Sequence, residues 1–332
     1  MNRRDTLKIL LATSAASTAG WSRGVRAAEY QMVTVAKIIG IPWFNLLSEG
    51  ILDGGKKFDI QATMIGPAHP DPAQQVAMVE DLIAKKVDVI GLVPLDVKVL
   101  GPVLKRAQDA GIAVITQEGP NQENRTWDVE MIDSTRFGET QMQALARAMG
   151  EQGDYVILVG TLTTPLHNAW ADAAIAFQKA HYPRMHLATS RFPGSDEVDS
   201  SEQVMRNVLQ AYPAVRGAIG FGSNGPIGIG NVVRQRHLQA RIAVIGTAIP
   251  SQVKPLIMSG AVREAFVWSP KDAGYAMVAV ADLMRRKVKF ETGMDVPGLG
   301  RANVDTANRL ISVDRTLTVN KQTVDKLIAT GL

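Results

Sequence analysis

The sequence contains no cysteine, and this absence removes several kinds of chemistry at once. A chain without thiols forms no disulfide bonds, offers no thiolate nucleophile and binds no zinc through cysteine. The sequence also lacks an HExxH zinc motif and a GxSxG nucleophile elbow. Its histidines show neither metal-ligand nor catalytic-triad spacing; they are His69, His167, His181, His186 and His237. We therefore predict no catalytic residue, no metal and no cofactor.

An excess of charge of either sign is also missing once the first residues are set aside. Of the 36 basic and 32 acidic residues, five basic and one acidic lie within residues 1–27, which leaves 31 of each. A nucleic-acid-binding protein needs a concentrated basic stripe to displace counterions from phosphates. We predict no nucleic-acid partner. Because no second apolar run of about 18 residues follows, we also predict no membrane anchor in the mature chain.

The first 28 residues have the order of an export signal. Paired arginines, Arg3 and Arg4, precede an apolar run at 9–19, and small residues follow at 25–27. The pair resembles the twin-arginine export motif, with Thr6 where a phenylalanine is usual. An ordinary Sec signal that contains two arginines stays open. Either route predicts export, with cleavage near residue 27 or 28.

The remaining chain alternates short β-rich apolar runs with amphipathic helical segments. Strands are predicted at 32–36, 61–66, 87–93 and 112–116, and the same rhythm starts again at 155–160. Strands that alternate with helices favour right-handed crossovers and a parallel sheet covered on both faces. About 300 residues exceed one small core, so we predict an α/β fold of two doubly wound parallel-sheet lobes.

Loops at the carboxyl ends of such strands carry the ligand site in folds of this type. Aromatic side chains in these loops face others that carry amides, hydroxyls and carboxylates, a combination that suits a polyhydroxylated ligand. For Trp43 a core position at the start of a helix is the alternative. The candidate ligand-binding residues are Lys37, Trp43, Phe44, Asp96, Glu118, His167, Asn168, Ser223, Asn224 and Trp268.

Several segments carry a resemblance to a known family through their order and spacing. They are IPWF at 41–44, GLVPLD at 91–96, AGIAVIT at 110–116, AVRGAI at 214–219, the stretch 249–264 and VPGLG at 296–300. With them the whole chain after residue 28 resembles the type I periplasmic solute-binding proteins for ribose, galactose and related sugars. The autoinducer- and rhamnose-binding branch is the most similar.

The resemblance implies two lobes joined by a three-strand hinge. The N-terminal lobe would comprise residues 29–133 plus 268–302, and the C-terminal lobe 134–267 plus 303–332. It further implies a monomer in the periplasm that captures a sugar or polyol between the lobes. The partner would be the inner-membrane permease of an ABC importer, with the ATPase on a separate chain. A ligand-sensing protein that presents a small molecule to a membrane receptor kinase remains the alternative.

The resemblance also implies roles for single residues. Lys37 matches the ligand-contacting lysine of the autoinducer branch, and Glu118 stands where relatives place an aspartate. Trp43 and Phe44 match the paired aromatics of ribose binders, and Asn224 matches an amide of the second lobe.

Two departures from the family pattern bear on the ligand. Leu166 and His167 stand where autoinducer binders carry Asp-Gln, and Ala248 stands where ribose binders carry an aspartate. Each lost polar partner costs about 1–3 kcal/mol. We therefore expect neither autoinducer nor ribose but a different sugar or polyol, and Leu166 would tolerate a deoxy sugar.

Other protein classes fit the sequence less well. A dehydrogenase is one such class, because residues 220–225 match the GxGxxG motif of nucleotide-binding folds. No acidic residue follows about twenty positions later to hold a nucleotide ribose. A glycosidase could pair Glu118 with Asp96, yet nothing favours acid–base chemistry over hydrogen bonding. A sugar-responsive transcription factor would need a helix-turn-helix where this chain has an export signal.

Overall fold

The computed structural model describes residues 30–332, so the predicted export signal and its cleavage site lie outside the described residues. Helices and strands alternate along this part of the chain. The strands are β1 (Gln31–Val35), β2 (Gln61–Ile65), β3 (Val89–Leu92), β4 (Ala113–Gln117), β5 (Trp127–Glu130), β6 (Gly153–Leu158), β7 (Met185–Leu187), β8 (Val215–Gly220), β9 (Ala243–Thr247), β10 (Glu264–Val267), β11 (Asp295–Val296), β12 (Gly300–Arg301), β13 (Asn303–Asp305), β14 (Leu310–Ser312) and β15 (Leu317–Val319). The helices are α1 (Pro42–Phe58), α2 (Pro72–Lys85), α3 (Val97–Asp109), α4 (Ser134–Met149), α5 (Pro165–His181), α6 (Val198–Ala211), α7 (Gly225–Gln235), α8 (Pro250–Ser259), α9 (Pro270–Arg285) and α10 (Val324–Ala329).

The first lobe is built on a seven-stranded sheet with the order β13-β14-β5-β4-β3-β1-β2. All its neighbouring strands are parallel except β13 and β14, which form an antiparallel pair. Helices α1 and α9 pack together, as do α2 and α3. Two hydrophobic clusters, one of them formed largely by the α2 and α3 side, bury the sheet. The predicted doubly wound lobe is therefore confirmed.

The second lobe contains a six-stranded sheet with the order β15-β10-β9-β8-β6-β7. Its strands are parallel apart from the edge pair β10 and β15. Helices α4 and α5 pack on each other, and α6, α7 and α8 follow one another in contact. The α/β class with two parallel-sheet lobes is thus the one predicted from the alternation of elements.

The chain passes between the sheets three times. It leaves the first sheet after β5, returns after β10 and crosses again after β14. The predicted boundary at residue 303 is wrong in this respect, because β14 pairs with β5 of the first sheet. The third crossing therefore lies at 313–316. The strands at 303–312 are too short to show a clear hydrophobic period, which is why the sequence pattern placed this boundary too early.

Local signals explain why the helices begin where they do. Asp71 caps α2 by accepting hydrogen bonds from the backbone N–H groups of Ala73 and Gln74, and Pro72 occupies the first turn. Within residues 30–332 no helix combines the length and the apolar character that crossing a membrane requires. The helices instead serve to cover the sheets and to bring loops to their carboxyl ends.

Candidate functional site

A small cavity lies where loops from the carboxyl ends of both sheets meet. Its enclosed space is about 10 Å³, which is room for about one water molecule. The two lobes are therefore closed on each other in this arrangement. The cavity is lined by Lys37, Ile41, Trp43, Phe44, Glu118, His167, Trp170, Asp196, Phe221, Ser223, Thr247 and Trp268.

A buried ionic cluster joins the two lobes inside this cavity. Lys37 follows β1, and its Nζ lies 3.1 Å from Oε2 of Glu118, which follows β4 in the same lobe. The same ammonium lies 3.9 Å from Oδ1 of Asp196, in the loop between β7 and α6 of the second lobe. All three side chains are at most 4% exposed. The ammonium therefore bridges a carboxylate of each lobe.

Burial and mutual attraction act in opposite directions on the charges of this cluster. Burial would lower the pKa of Lys37, but the carboxylates of Asp196 and Glu118 outweigh it and raise this pKa, so the ammonium keeps its proton. Burial is the main cause that raises the pKa of Glu118 and of Asp196, although Lys37 opposes it in both. Two carboxyl groups thus share one cation in a buried site that has room for about one water molecule.

His167 adds a neutral donor to the cluster. It lies in the first turn of α5, and its Nδ1 accepts a hydrogen bond of 3.0 Å from the backbone N–H of Gly160. Burial, followed by the charge of Lys37, lowers its pKa well below the usual value. The neutral ring therefore carries its proton on Nε2, which lies 3.3 Å from Nζ of Lys37. Two donors face each other there, and one oxygen acceptor placed beside the pair could accept from both.

Aromatic rings form the rest of the cavity wall. Trp43 meets Trp268 edge to face with ring centroids 4.7 Å apart, and Trp268 lies 5.6 Å from Trp170. Trp268 belongs to the second crossing between the lobes, so this contact runs from the first lobe through the hinge to the second. The indole Nε1 of Trp170 is buried and has no hydrogen-bond partner among the described residues.

The backbone of the first lobe holds Glu118 in an unusual conformation. Its φ is 60°, in the left-handed region that residues with a side chain rarely adopt. Such a conformation persists only where the surrounding structure enforces it, and it is concentrated at functional sites. Here the left-handed conformation lets the carboxylate of Glu118, the first residue after β4, contact the ammonium of Lys37.

A second pair of buried acids lies behind Glu118. Asp128 on β5 accepts a hydrogen bond of 2.6 Å from the hydroxyl of Thr116, and burial raises its pKa to about 6. Glu130 lies two residues further along the same strand and is 3% exposed. Burial, then the charge of Asp128, raises its pKa well above the usual value. Burial therefore favours the protonated form of Glu130.

The structure brings most of the sequence-predicted site residues together. Seven of them line the cavity, namely Lys37, Trp43, Phe44, Glu118, His167, Ser223 and Trp268.

The other three candidates make local hydrogen bonds instead. Asp96 caps α3 by accepting from the backbone N–H groups of residues 98 and 99. Asn168 donates to the carbonyl groups of Thr161 and Thr164. Asn224 donates to the carbonyl of Asp196 at 2.8 Å. Their polar groups shape the site loops but are not among the side chains that line the cavity.

The sequence prediction missed Ile41, Trp170, Asp196, Phe221 and Thr247. Two of these had a usable signal. Trp170 lies three residues after His167 and therefore on the same helical face. Asp196 lies in the loop that follows β7, at the carboxyl edge where ligand groups are expected.

The argument from Leu166 and Ala248 does not hold. Both side chains are fully buried, and neither lines the cavity. Leu166 points into the core while its neighbour His167 reaches the cavity. Because Leu166 does not line the cavity, it gives no reason to expect a deoxy sugar.

The described residues 30–332 contain no cluster of three or more histidine or acidic side chains arranged to hold a metal ion. The GxGxxG segment also has a packing explanation. A Cβ at Gly222 would lie 2.4 Å from the carbonyl oxygen of Ser195, so the close approach of the loop that carries Asp196 requires glycine there.

Comparison with known proteins agrees with this geometry. The family model for the periplasmic binding protein domain matches residues 32–287, and the chain belongs to this family. The D-ribose/D-allose-binding protein of Pseudomonas aeruginosa is 27% identical over 231 residues, which cover 66% of this chain and 65% of that protein. The ribose import binding protein RbsB of Escherichia coli K12 is 22% identical over 292 residues, which cover 88% of this chain and 95% of RbsB.

Solved structures share the fold at low sequence identity. LsrB from Clostridium saccharobutylicum in complex with AI-2 has a TM-score of 0.82 at 18% identity, covering 89% of this chain and 99% of that one. A solute-binding protein of an ABC transporter from Clostridium phytofermentas, with bound L-rhamnose, has a TM-score of 0.82 at 19% identity, with coverages of 92% and 99%.

Proposed function

We propose that this protein captures one small sugar or polyol between its lobes and delivers it to the permease of an ABC importer. The observation that carries the proposal is a cavity shared by both lobes, in which charged and neutral polar groups are set among tryptophan and phenylalanine rings. Aromatic faces pack on the C–H surface of a sugar, while fixed donors and acceptors bind its hydroxyl groups.

The polar groups of the cavity suit hydroxyl groups, which both donate and accept. Lys37 and the Nε2–H of His167 would donate to one ligand oxygen, since they face each other at 3.3 Å. Glu118 and Asp196 would accept from ligand hydroxyls. The unpaired indole N–H of Trp170 offers a further donor. A ligand of this kind would satisfy groups that the closed protein leaves without partners.

Closure of the lobes supplies the transport signal in this proposal. A sugar-sized ligand does not fit the remaining space, so the lobes must open to admit it. Contacts to both lobes exist only after they close again, and their free energy shifts the hinge equilibrium. We propose that the crossings at 131–133, 268–269 and 313–316 form the hinge and that the permease recognises the closed form.

The remaining parts of the proposal concern location and chemistry. We propose that residues 1–28 direct export, that the mature protein is a periplasmic monomer, and that ATP is hydrolysed on another chain. Names such as "ribose import binding protein" among its relatives support import over presentation to a receptor kinase. We also propose that the protein performs no catalytic step, and turnover of a bound sugar would contradict this.

Tryptophan fluorescence tests the proposal because Trp43, Trp170 and Trp268 line the cavity. The purified mature protein should respond saturably to at least one member of a panel of pentoses, hexoses, deoxy sugars and polyols. Trp43→Ala should weaken that binding by more than about tenfold, since it removes the aromatic face of the first lobe.

The matched control is Trp127→Phe. Trp127 packs on Phe290 outside the cavity, with ring centroids 4.7 Å apart, so its replacement should leave the Kd unchanged. If no member of the panel changes the emission or the melting temperature, the proposed function is wrong.

A further inference from the structure

Asp196 differs from the other charged groups of the cavity because one of its oxygens is unused. Its side chain is buried, with the residue 2% exposed. Oδ1 faces Nζ of Lys37 at 3.9 Å, beyond hydrogen-bond distance. Oδ2 accepts no hydrogen bond from any of the residues at 30–332. A buried carboxylate oxygen without a partner is costly, so this oxygen indicates a place for a donor that comes from outside the protein.

The surrounding backbone holds this carboxylate in place. A Cβ at position 160 would lie 2.1 Å from Oδ2 of Asp196, so the carboxylate fits against Gly160 only because that residue is glycine. The hydroxyl of Ser195 accepts a 2.9 Å hydrogen bond from the backbone N–H of Gly222. The amide of Asn224 donates to the carbonyl of Asp196. These contacts fix the loop before any ligand arrives, as a specific binding group requires.

The charges of the cavity are unequal. Lys37 contributes one positive charge, whereas Glu118 and Asp196 contribute two carboxylates. His167 is neutral, because its Nδ1 is occupied by the N–H of Gly160 and its Nε2–H faces an ammonium. The lysine is therefore already matched within the protein, and the described residues that line the cavity offer no further cation for a negatively charged ligand. A further buried negative charge would lack a partner.

Resting on the proposed function, we infer that Asp196 is the specificity-determining carboxylate of the second lobe. It binds a ligand hydroxyl and restricts the cleft to uncharged sugars and polyols. Sugar acids and sugar phosphates are therefore rejected, although a lysine lies in the site. Asp196 thereby acts as the selective hydrogen-bond acceptor of the second lobe, in which Leu166 is apolar. Lys37 serves to balance carboxylates, not to bind an anionic ligand.

The test compares neutral and anionic probes by calorimetry on the mature protein and its variants. D-ribose, D-allose, L-rhamnose, D-arabinose and xylitol are the neutral probes, and D-ribonate and D-ribose 5-phosphate are the anionic ones. The wild type should bind at least one neutral probe and should bind the anionic probes at least about a hundredfold more weakly. Asp196→Asn keeps the size of the side chain but removes its charge. It should weaken neutral binding by about tenfold or more, as expected for a lost charge-assisted hydrogen bond.

The same variant should also relax the selectivity. With Asp196→Asn the cation and the remaining carboxylate balance, so the ratio of anionic to neutral Kd should fall by about tenfold or more. Asp199→Asn removes an exposed carboxylate three residues away, in the first turn of α6, and should change neither quantity. Gly160→Ala, whose Cβ would lie 2.1 Å from Oδ2 of Asp196 and 3.0 Å from Nδ1 of His167, displaces the carboxylate without removing it and should also weaken neutral binding.

The possible failures are separable. Wild-type binding of D-ribonate or D-ribose 5-phosphate as tight as that of the best neutral probe would overturn the inference while leaving a binding protein. An unchanged neutral Kd in Asp196→Asn would do the same. Equal losses for neutral and anionic probes would assign Asp196 to lobe closure alone and overturn its role in selectivity. Absence of binding to every neutral probe and to the wider sugar panel would overturn the proposed function itself.

Discussion

The two walls of the cleft satisfy their polar groups in different ways. In the first lobe Lys37 and Glu118 lie 3.1 Å apart and pair with each other within that lobe. In the second lobe Asp196 Oδ2 and Trp170 Nε1 have no partner among the described residues. The charged groups of the first wall thus have partners within their own lobe. The polar atoms of the second wall would find partners only in a bound ligand. Selectivity should therefore depend on the second lobe, and stability of the charged cluster on the first.

Removing the lysine should have the largest effect, because it breaks the pairing in both walls at once. Lys37→Met leaves Glu118 and Asp196 buried without a cation, and removing one partner of a buried ion pair typically costs about 3–5 kcal/mol. We expect a loss of that size in the free energy of unfolding, measured by urea titration, and no measurable sugar binding.

A double variant provides the control for this experiment. Lys37→Met combined with Glu118→Gln removes the uncompensated charge of the first wall and should recover part of the lost stability, though not the binding. A loss below about 1 kcal/mol in the single variant would mean that the cluster is hydrated and that the two walls do not differ as described.

The second effect concerns the acid pair behind the first wall. Burial raises the pKa of Asp128 to about 6, above its ordinary value of 3.8. The folded state therefore holds more protons than the unfolded state between these values, so stability falls as pH rises from about 4 to about 6. Asp128→Asn keeps an oxygen acceptor for Thr116 and removes this dependence.

We expect Asp128→Asn to stabilise the protein at pH 7, with an upper bound of about 3 kcal/mol from the separation of the two pKa values. The gain should vanish at pH 4, where the wild-type carboxyl group is neutral. Thermal unfolding at a series of pH values measures this. Glu139→Gln, at a partly exposed position of α4, is the control and should leave the profile unchanged. A wild type more stable than the variant at pH 7 would contradict the assignment.

The sequence predicted the first wall better than the second for a physical reason. Lys37, Trp43 and Glu118 follow or adjoin strands with clear apolar runs, so the carboxyl-end rule located them. Asp196 follows β7, which has only three residues. Its importance depends on tertiary packing against Gly160, which no local pattern reveals.

Asp96 shows the opposite error. An aspartate between a strand and a helix fits both a ligand site and a helix cap, and here the local hydrogen bonds to residues 98 and 99 explain it.

The alternation of strands and helices predicted the two lobes correctly. The chain crossing at 313–316 was misplaced because strand pairing at a sheet edge is a long-range property.

The smallest effect is expected at the rim of the cleft, where a second polar contact, a hydrogen bond, crosses between the lobes. Nδ1 of His69, after β2, lies 3.0 Å from Oε1 of Glu197, the residue next to Asp196. The His69 side chain is 82% exposed, so water and salt screen this contact, and exposed pairs contribute little. His69→Ala should change the sugar Kd by at most about fivefold, with no change in the neutral-to-anionic selectivity.

Titrations at low and high ionic strength measure this prediction and compare the two interlobe contacts directly. Salt should weaken the contribution of the rim pair and leave that of the buried Lys37–Asp196 pair almost unchanged, since ions do not reach the closed cavity. A tenfold or larger effect of His69→Ala would show that the rim holds the lobes together. In that case closure would depend mainly on the salt-sensitive rim contact and not on the salt-insensitive contact between Lys37 and Asp196. Asp196 would then select the ligand without controlling closure.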